Sequence, residues 1–420
     1  MDPRELLVRT GEWLLPKDGV NLATWACVAC DQYTSQREYW EKAAELVGDK
    51  PSTLKLILPE CYLEGAEERI PKIHQEMKKY LEDGVLEGKA CGGLILTVRT
   101  TPSGNRVGLV VLIDLEGYDY RPGSASLIRA TEGTILERIP PRLAVRRGAA
   151  LEMSHVLMLL DDPERSVVEP LYEKCRQLPC LYDFPLMMGG GRVAGYAVAN
   201  PQDIQGVYTA LGQLKAGLQG DKPLLYAVGD GNHSLAAAKA YWEELKPGLS
   251  AEKQECHPAR FALVELENIH EEALVFKPIH RLVTGYAPEA LLEDWRSYAE
   301  SRGMSLEGGK GSQEILCVYG EMEKLVRVDH SPQMLAVGTL QAFLDNWLPD
   351  HPGVKLDYIH GDDTLRALAR QEGAMGFLLP KPHKDSLFAT VRKEGVLPRK
   401  TFSMGEANEK RYYLETRRLV

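Results

Sequence analysis

The sequence predicts an α/β protein of mixed sheets with flanking helices, organised in two to three subdomains. Two patterns carry that expectation. From about Pro201 onward, apolar runs of strand length alternate regularly with helical periodicity, as expected for strands covered by helices. Upstream, two apolar runs flank Thr101-Pro102-Ser103-Gly104-Asn105, whose residues favour a tight turn and hence a hairpin. Size agrees, since 420 residues with 44% hydrophobic and 26% charged content suit a globular chain with more than one core.

Along the chain, Ser35-Gln36-Arg37-Glu38 has the capping-box pattern opening a helix over Ser35–Val47, with Gly48 as its stop. Ile70, Ile73, Met77 and Leu81 recur at helical spacing within Glu67–Asp83. Leu94–Val98 and Val107–Ile113 are the strands of the hairpin. After Leu151–Leu160, the Asp161-Asp162-Pro163 turn and the Gly189-Gly190-Gly191 loop separate shorter pieces. The alternation then runs through a helix near 202–218, strand Leu224–Val228, helix Leu235–Leu245, strand Arg260–Leu266, helix Pro288–Ser301 and strand Glu314–Tyr319. It continues through helix Leu340–Trp347, strand Leu356–Ile359, helix Asp363–Gln371, strand Met375–Leu379 and helix Asp385–Lys393.

The N-terminus shows no basic stretch leading into an apolar core, and no apolar run approaches membrane-spanning length. A cytoplasmic protein with no membrane partner is expected. A net charge of −10 with dispersed basic residues disfavours nucleic acid as a partner; a homodimer stays open. The eight cysteines show no two matched pairs at zinc-ribbon spacing. Cys27 and Cys30 form a lone C-x-x-C within strand-like alternation, which points to buried core rather than a redox pair.

Chemistry concentrates in Val228-Gly229-Asp230-Gly231-Asn232-His233-Ser234-Leu235, a strand, a tight loop and a helix start. Gly229 and Gly231 let backbone approach a ligand, and the N–H groups of the following helix favour an anion. Asn232 or Ser234 can cap the helix, and His233 can donate to phosphate or move a proton near neutral pH. The same residues also fit an ordinary strand-to-helix connection. A second cluster, Glu267-Asn268-Ile269-His270, ends a strand and precedes Pro278-Ile279-His280-Arg281. Glu267 and Asn268 are oxygen ligands that Mg²⁺ accepts, and Arg281 can pair with phosphate. Arg399 and Lys400 suit an anion, and Arg129, Thr131 and Glu132 suit a substrate loop; each also suits a structural turn.

Almost the whole chain resembles the bacterial and archaeal family known as domain of unknown function 1015. The resemblance rests on Ala29-Cys30-Asp31-Gln32-Tyr33-Thr34-Ser35-Gln36, Leu56-Ile57-Leu58-Pro59-Glu60, Arg129–Thr134, Gly229–Ser234, Pro278–Arg281 and Leu397–Glu406. A more distant likeness links Gly231–Ala237 to the G-x-[RH]-R-x-x-A turn of the ParB and sulfiredoxin superfamily, and Glu267-Asn268-Ile269-His270 to its E-N-I-Q strand end. That superfamily includes nucleotide-hydrolysing DNA clamps, ATP-using reductases and free-serine kinases. The likeness implies a ParB/sulfiredoxin-like nucleotide-binding core in which His233 touches phosphate and Glu267 with Asn268 holds metal. Ser234 departs from it, standing where the signature has arginine, so Arg281, Lys239, Arg399 or Lys400 would have to replace that cation.

The expected organisation is an N-terminal α/β domain over 1–200, a ParB/sulfiredoxin-like phosphate-binding segment over 201–285 and a C-terminal α/β domain over 286–420. The expected activity is a Mg²⁺-dependent phosphotransferase or nucleotide hydrolase using ATP, ADP or CTP on a small-molecule substrate. Asp230, Glu267 and Glu132 are its candidate bases, with His233 as a further catalytic group. Two alternatives stand beside it: a nucleotide-gated binding protein without turnover, and a structural module without nucleotide.

Overall fold

The computed structural model describes residues 3–419. The chain divides into two compact units, one running to Val275 and resuming at Gly405, the other spanning Phe276–Met404.

Among the described residues the first unit is built on a 13-stranded sheet. Its centre runs, in hydrogen-bonded order, Ile128–Ala130, Tyr226–Asp230, Leu157–Leu160, Phe261–Asn268, Gly104–Asp114 and Leu86–Thr101. Tyr226–Asp230 is parallel to Ile128–Ala130 but antiparallel to Leu157–Leu160, and Phe261–Asn268 is parallel to Leu157–Leu160 but antiparallel to Gly104–Asp114. The sheet is therefore mixed, as expected. Gly104–Asp114 is buried from Arg106 onward, the pattern of a strand covered on both faces. It closes the expected hairpin on Leu86–Thr101, with Thr101 opposite Gly104. Helices Arg37–Val47, Ala66–Glu82, Pro201–Gly217 and Asn232–Leu245 supply buried apolar residues to this unit. The capping box does not form: the first of these helices begins after Gln36 with no side-chain cap.

The second unit has its own sheet, in the order Met322–Val328, Gln313–Tyr319, Ala374–Leu378, Phe276–Thr284 and Lys355–His360. Phe402–Met404 pairs with the start of Phe276–Thr284, Phe276 opposite Met404. Helices Pro288–Ser301 and Ala336–Trp347 bury Trp295 and Phe343, whose rings stack at 5.9 Å.

The chain thus divides at 275/276 and 404/405 rather than near 200 and 285. Strands from either side of residue 200 bond directly in one sheet, and the final segment returns to the first unit, where Thr416–Arg418 pairs with Leu151–Met153. Among the described residues no helix is long and apolar enough to cross a membrane.

Candidate functional site

Parallel neighbours end on the same edge of a sheet, so the loops after Ile128–Ala130 and Tyr226–Asp230 emerge side by side. The Ile135 N–H donates to His233 Nε2 at 3.2 Å across them. Gly231 lies between strand and helix with φ +76°. A Cβ there would stand 3.0 Å from Val156 Cα and 3.3 Å from His155 Cδ2, so both conformation and space require glycine. The Asn232–Leu245 helix starts on Gly231 with no side-chain cap, correcting the expectation that Asn232 or Ser234 caps it. Its first intrahelical bond runs from Leu235 N–H to Gly231 O, which leaves the N–H groups of the first turn for another acceptor. Two polar atoms at these loops, Asn232 Oδ1 and Thr134 Oγ1, are shielded from solvent and have no partner. Ala236, Ala237 and Ala238 are buried, and the helix packs closely against helix Ile139–Arg146.

Around Ser234 several distant segments converge. Ser234 Oγ lies 3.4 Å from His155 Nε2, and Asp31 Oδ2 lies 3.5 Å from the same nitrogen. On the other side of the ring, His155 Nδ1 is 2.5 Å from the Tyr413 hydroxyl, which donates to Cys30 Sγ at 3.1 Å. Burial raises the Asp31 carboxyl, but His155, Gln32 and Arg142 outweigh it and hold the group well below the usual carboxylate range. Burial pushes the Cys27 thiol up to about 12 and that of Cys30 up to about 11, so neither offers a reactive thiolate near neutral pH. Asp230 accepts the Gly231 N–H at 2.9 Å and pairs with Lys410 at 3.0 Å.

Ser234, His155, Tyr413 and Cys30 also line one end of a cavity of about 120 Å³. Leu56, Met77, Val145, Leu151 and Ala238 supply apolar wall.

The family model described as "Protein of unknown function (DUF1015)" matches residues 14–347. The chain belongs to this family. No curated protein matches it. Among solved structures, C-terminally truncated SbnI from Staphylococcus aureus is 12% identical, covering 70% of this chain and 83% of that one, with a TM-score of 0.37. A free serine kinase in complex with AMP is 12% identical over 74% of this chain and 92% of that one, TM-score 0.39. A conserved hypothetical protein from Pyrococcus furiosus is 13% identical over 73% and 90% of the two chains, TM-score 0.34. Similarities this loose assign no residue.

In this DUF1015 chain the expected residues separate into three groups. Gly229, Asp230, Gly231, Asn232, His233 and Ser234 stay together, and the Thr131–Glu132 loop adjoins them. Thr131 Oγ1 donates to Val228 O at 2.6 Å, and Arg129 braces the carbonyls of Ser124, Lys222 and Pro223. His233 requires a correction: burial, with Arg142 and Arg138 nearby, pushes it down to about 4. Without a ligand it is neutral at physiological pH and accepts the Ile135 N–H at Nε2, so that nitrogen does not stand ready as a phosphate cation.

Glu267, Asn268 and His270 form the second group. Glu267 pairs with Leu159, whereas Asp230 pairs with Leu157, which displaces Glu267 from the turn by roughly 10 Å across the sheet and about 7 Å along it. Glu267 is 2% exposed, with both oxygens on Arg106 Nη2 at 2.9 and 3.2 Å. Asn268 Nδ2 donates to Asp162 O and Glu169 Oε1, both at 2.8 Å, and His270 Nε2 lies 2.9 Å from Asp161. The Glu267 oxygens are held by Arg106 and Asn268 Oδ1 accepts the His270 N–H at 3.2 Å, and no group of three His, Cys, Asp or Glu side chains among the described residues could hold a metal.

His280, Arg281, Arg399 and Lys400 belong to the second unit. His280 accepts the Leu379 N–H and faces Asp362 at 3.0 Å. Arg281 is wholly buried and donates to the carbonyls of Ile279, Lys400 and Arg399 and to Gln341, so it is a brace and not the replacement cation. Arg399 and Lys400 are exposed and lie over the Tyr358 ring, each at 5.2 Å. Sequence reasoning missed His155, Tyr413 and Lys410 and gave Asp31 no role, although Cys30-Asp31 belongs to the first family motif.

Arg281→Leu strips the partner from several buried acceptors and should cost about 3 kcal/mol or more, measured by urea denaturation. A loss within about 0.5 kcal/mol, the range of an ordinary surface change, would contradict the bracing role.

Burial pushes Glu267 up to about 7; Arg106 pulls it down, and Glu265 adds to the rise. Because the folded value exceeds the unfolded one of 4.5, the native state holds this proton more tightly. Its stabilising contribution is complete below the unfolded value and is lost as pH rises through the folded one. Glu267→Gln keeps an uncharged group beside Arg106 and removes that loss. The melting temperature of the variant minus that of the wild type should therefore climb between about pH 4.5 and 7 and level off above; a flat or falling difference would refute the assignment.

Proposed function

We propose that this protein binds the phosphates of a nucleotide at the Gly231 turn and transfers a phosphoryl group to a small hydroxyl compound. The observation that carries the binding is the uncapped helix start beside the Thr131–Ile135 loop, with Asn232 Oδ1 and Thr134 Oγ1 shielded and lacking partners. Buried polar atoms are normally paired; the Thr134 hydroxyl can donate to a phosphate oxygen, while Asn232 Oδ1, an acceptor, suits a ligand hydroxyl. Free first-turn N–H groups and the helix dipole attract an anion. Arg138 and Arg142, whose charge already depresses His233, add positive potential. Ser234 contributes a hydroxyl where the ParB-like signature has a cation.

Phosphoryl transfer relies mainly on positioning and charge stabilisation. Asp31, ionised across the physiological range and adjoining His155, is the carboxylate available to orient an acceptor hydroxyl. Glu267 and Asn268 do not fit a magnesium ion, so any Mg²⁺ would come with the nucleotide rather than in a cage of those residues.

Thermal shift and calorimetry with ATP, ADP, AMP and CTP, each with Mg²⁺ and with chelator, test the proposal. A bound nucleotide at about a hundred times its dissociation constant should stabilise the fold by roughly 2.7 kcal/mol. Thr134→Val removes an unpartnered hydroxyl, so it should leave apo stability unchanged or raised while weakening affinity about tenfold. No shift with any nucleotide at millimolar concentration, or a destabilised Thr134→Val apoprotein with unchanged affinity, would contradict phosphate binding at this loop.

A further inference from the structure

We infer that the cavity behind Ser234 is a second ligand site, taking the body of a small alcohol whose hydroxyl faces Ser234, His155 and Tyr413. Only the role of that alcohol as phosphoryl acceptor rests on the function proposed above; the binding itself does not.

Three features separate this cavity from a packing flaw. It is roomy, at about 120 Å³, near the ~150 Å³ at which an apolar cavity admits a benzene ring. Its lining is divided: aliphatic side chains form most of the wall, the ion pairs Arg142–Glu60 and Arg146–Glu152 border it with their charges compensated, and Ser234 Oγ, His155 Nε2 and the Tyr413 hydroxyl adjoin one another. A purely polar compound would leave the apolar wall unfilled, and a hydrocarbon would make no use of the Ser234 hydroxyl, whose contact with His155 is long at 3.4 Å. Finally, Ser234 belongs both to the cavity lining and to the first turn of the Gly231 helix, so a hydroxyl held beside it lies next to the loop assigned to phosphate. The ligand class that satisfies both ends is an alcohol with a branched aliphatic or single-ring body of about benzene size.

The test uses the full chain and four probes: benzyl alcohol, 3-methylbutanol, toluene and glycerol, followed by ligand-observed NMR and calorimetry. A site built around a hydroxyl partner rejects the analogue that lacks it, so the first two probes should bind at least about tenfold more tightly than toluene and glycerol. Ala238 is 2% exposed and lines the cavity. Ala238→Leu should fill the space, hold or raise the melting temperature and reduce alcohol binding at least about tenfold, with nucleotide binding unchanged. Ala238→Val is the milder version should leucine prove too large.

Absence of binding by any probe at millimolar concentration overturns the inference, as does toluene binding as well as benzyl alcohol. Full alcohol affinity in a folded Ala238→Leu or Ala238→Val protein places the site elsewhere and equally overturns it. If neither variant folds, the ranking of the four probes on the wild-type protein decides alone. Alcohol binding without nucleotide binding sinks the phosphate proposal and leaves this one standing; nucleotide binding without alcohol binding does the reverse.

Discussion

Gly231 touches the backbone at Val156 so closely that even a methyl group would have to displace it, since a Cβ would stand 3.0 Å from Val156 Cα. That close approach sets the geometry of the whole site. It lets the Tyr226–Asp230 strand turn through a left-handed residue into the Asn232–Leu245 helix directly against the start of Leu157–Leu160. Ser234 is thereby delivered to His155, and the first-turn N–H groups open beside the Thr131–Ile135 loop. The steric demand at one residue thus couples an uncapped helix start to a histidine 79 positions away from Ser234 in sequence.

A buried charge network holds the other side of the site. Arg106, paired with Glu267, also donates to Glu409 O at 2.9 Å. Arg99 reaches Asn408 O at 2.8 Å and Lys410 O at 3.0 Å, and Arg411 joins Glu265 at 3.1 Å to Glu415 at 2.9 Å. Together these bonds fasten the returning segment 408–415 onto the polar face of the sheet, and that segment carries Lys410 to Asp230 and Tyr413 to His155. Glu267 therefore serves the site by orienting the arginine that clamps the backbone. Buried pairs of this kind are costly to break and weak as net stabilisers, which fits a positioning role better than a stability role.

Much of the fold was legible in local periodicity. Helix Pro288–Ser301 falls at the expected residues, and the Tyr226–Asp230 strand, Gly231 turn and following helix were visible from glycine spacing and the alanine run. Strand Phe276–Thr284 was not, because Pro278, His280 and Arg281 interrupt its apolar alternation while pairing partners on both sides sustain it. The unit boundary was hidden for a related reason, since pairing of strands distant in sequence leaves no mark on local pattern. His155 and Tyr413 were equally invisible, being 258 positions apart, one at the edge of an apolar run and the other among charged residues near the end of the sequence. Glu267 was placed at a strand end with nothing in the local pattern to point to its partner, Arg106, and the ParB-like motif offered a metal in its place.

The central claim is that the first-turn N–H groups at Gly231 are an open anion site, and backbone amide NMR of the isotope-labelled protein during an ADP titration tests it most directly. The account predicts the largest shifts at Asn232, His233 and Ser234, accompanied by Thr134 and Ile135 in the adjoining loop. Saturable shifts that cluster elsewhere while these five amides stay fixed would contradict it.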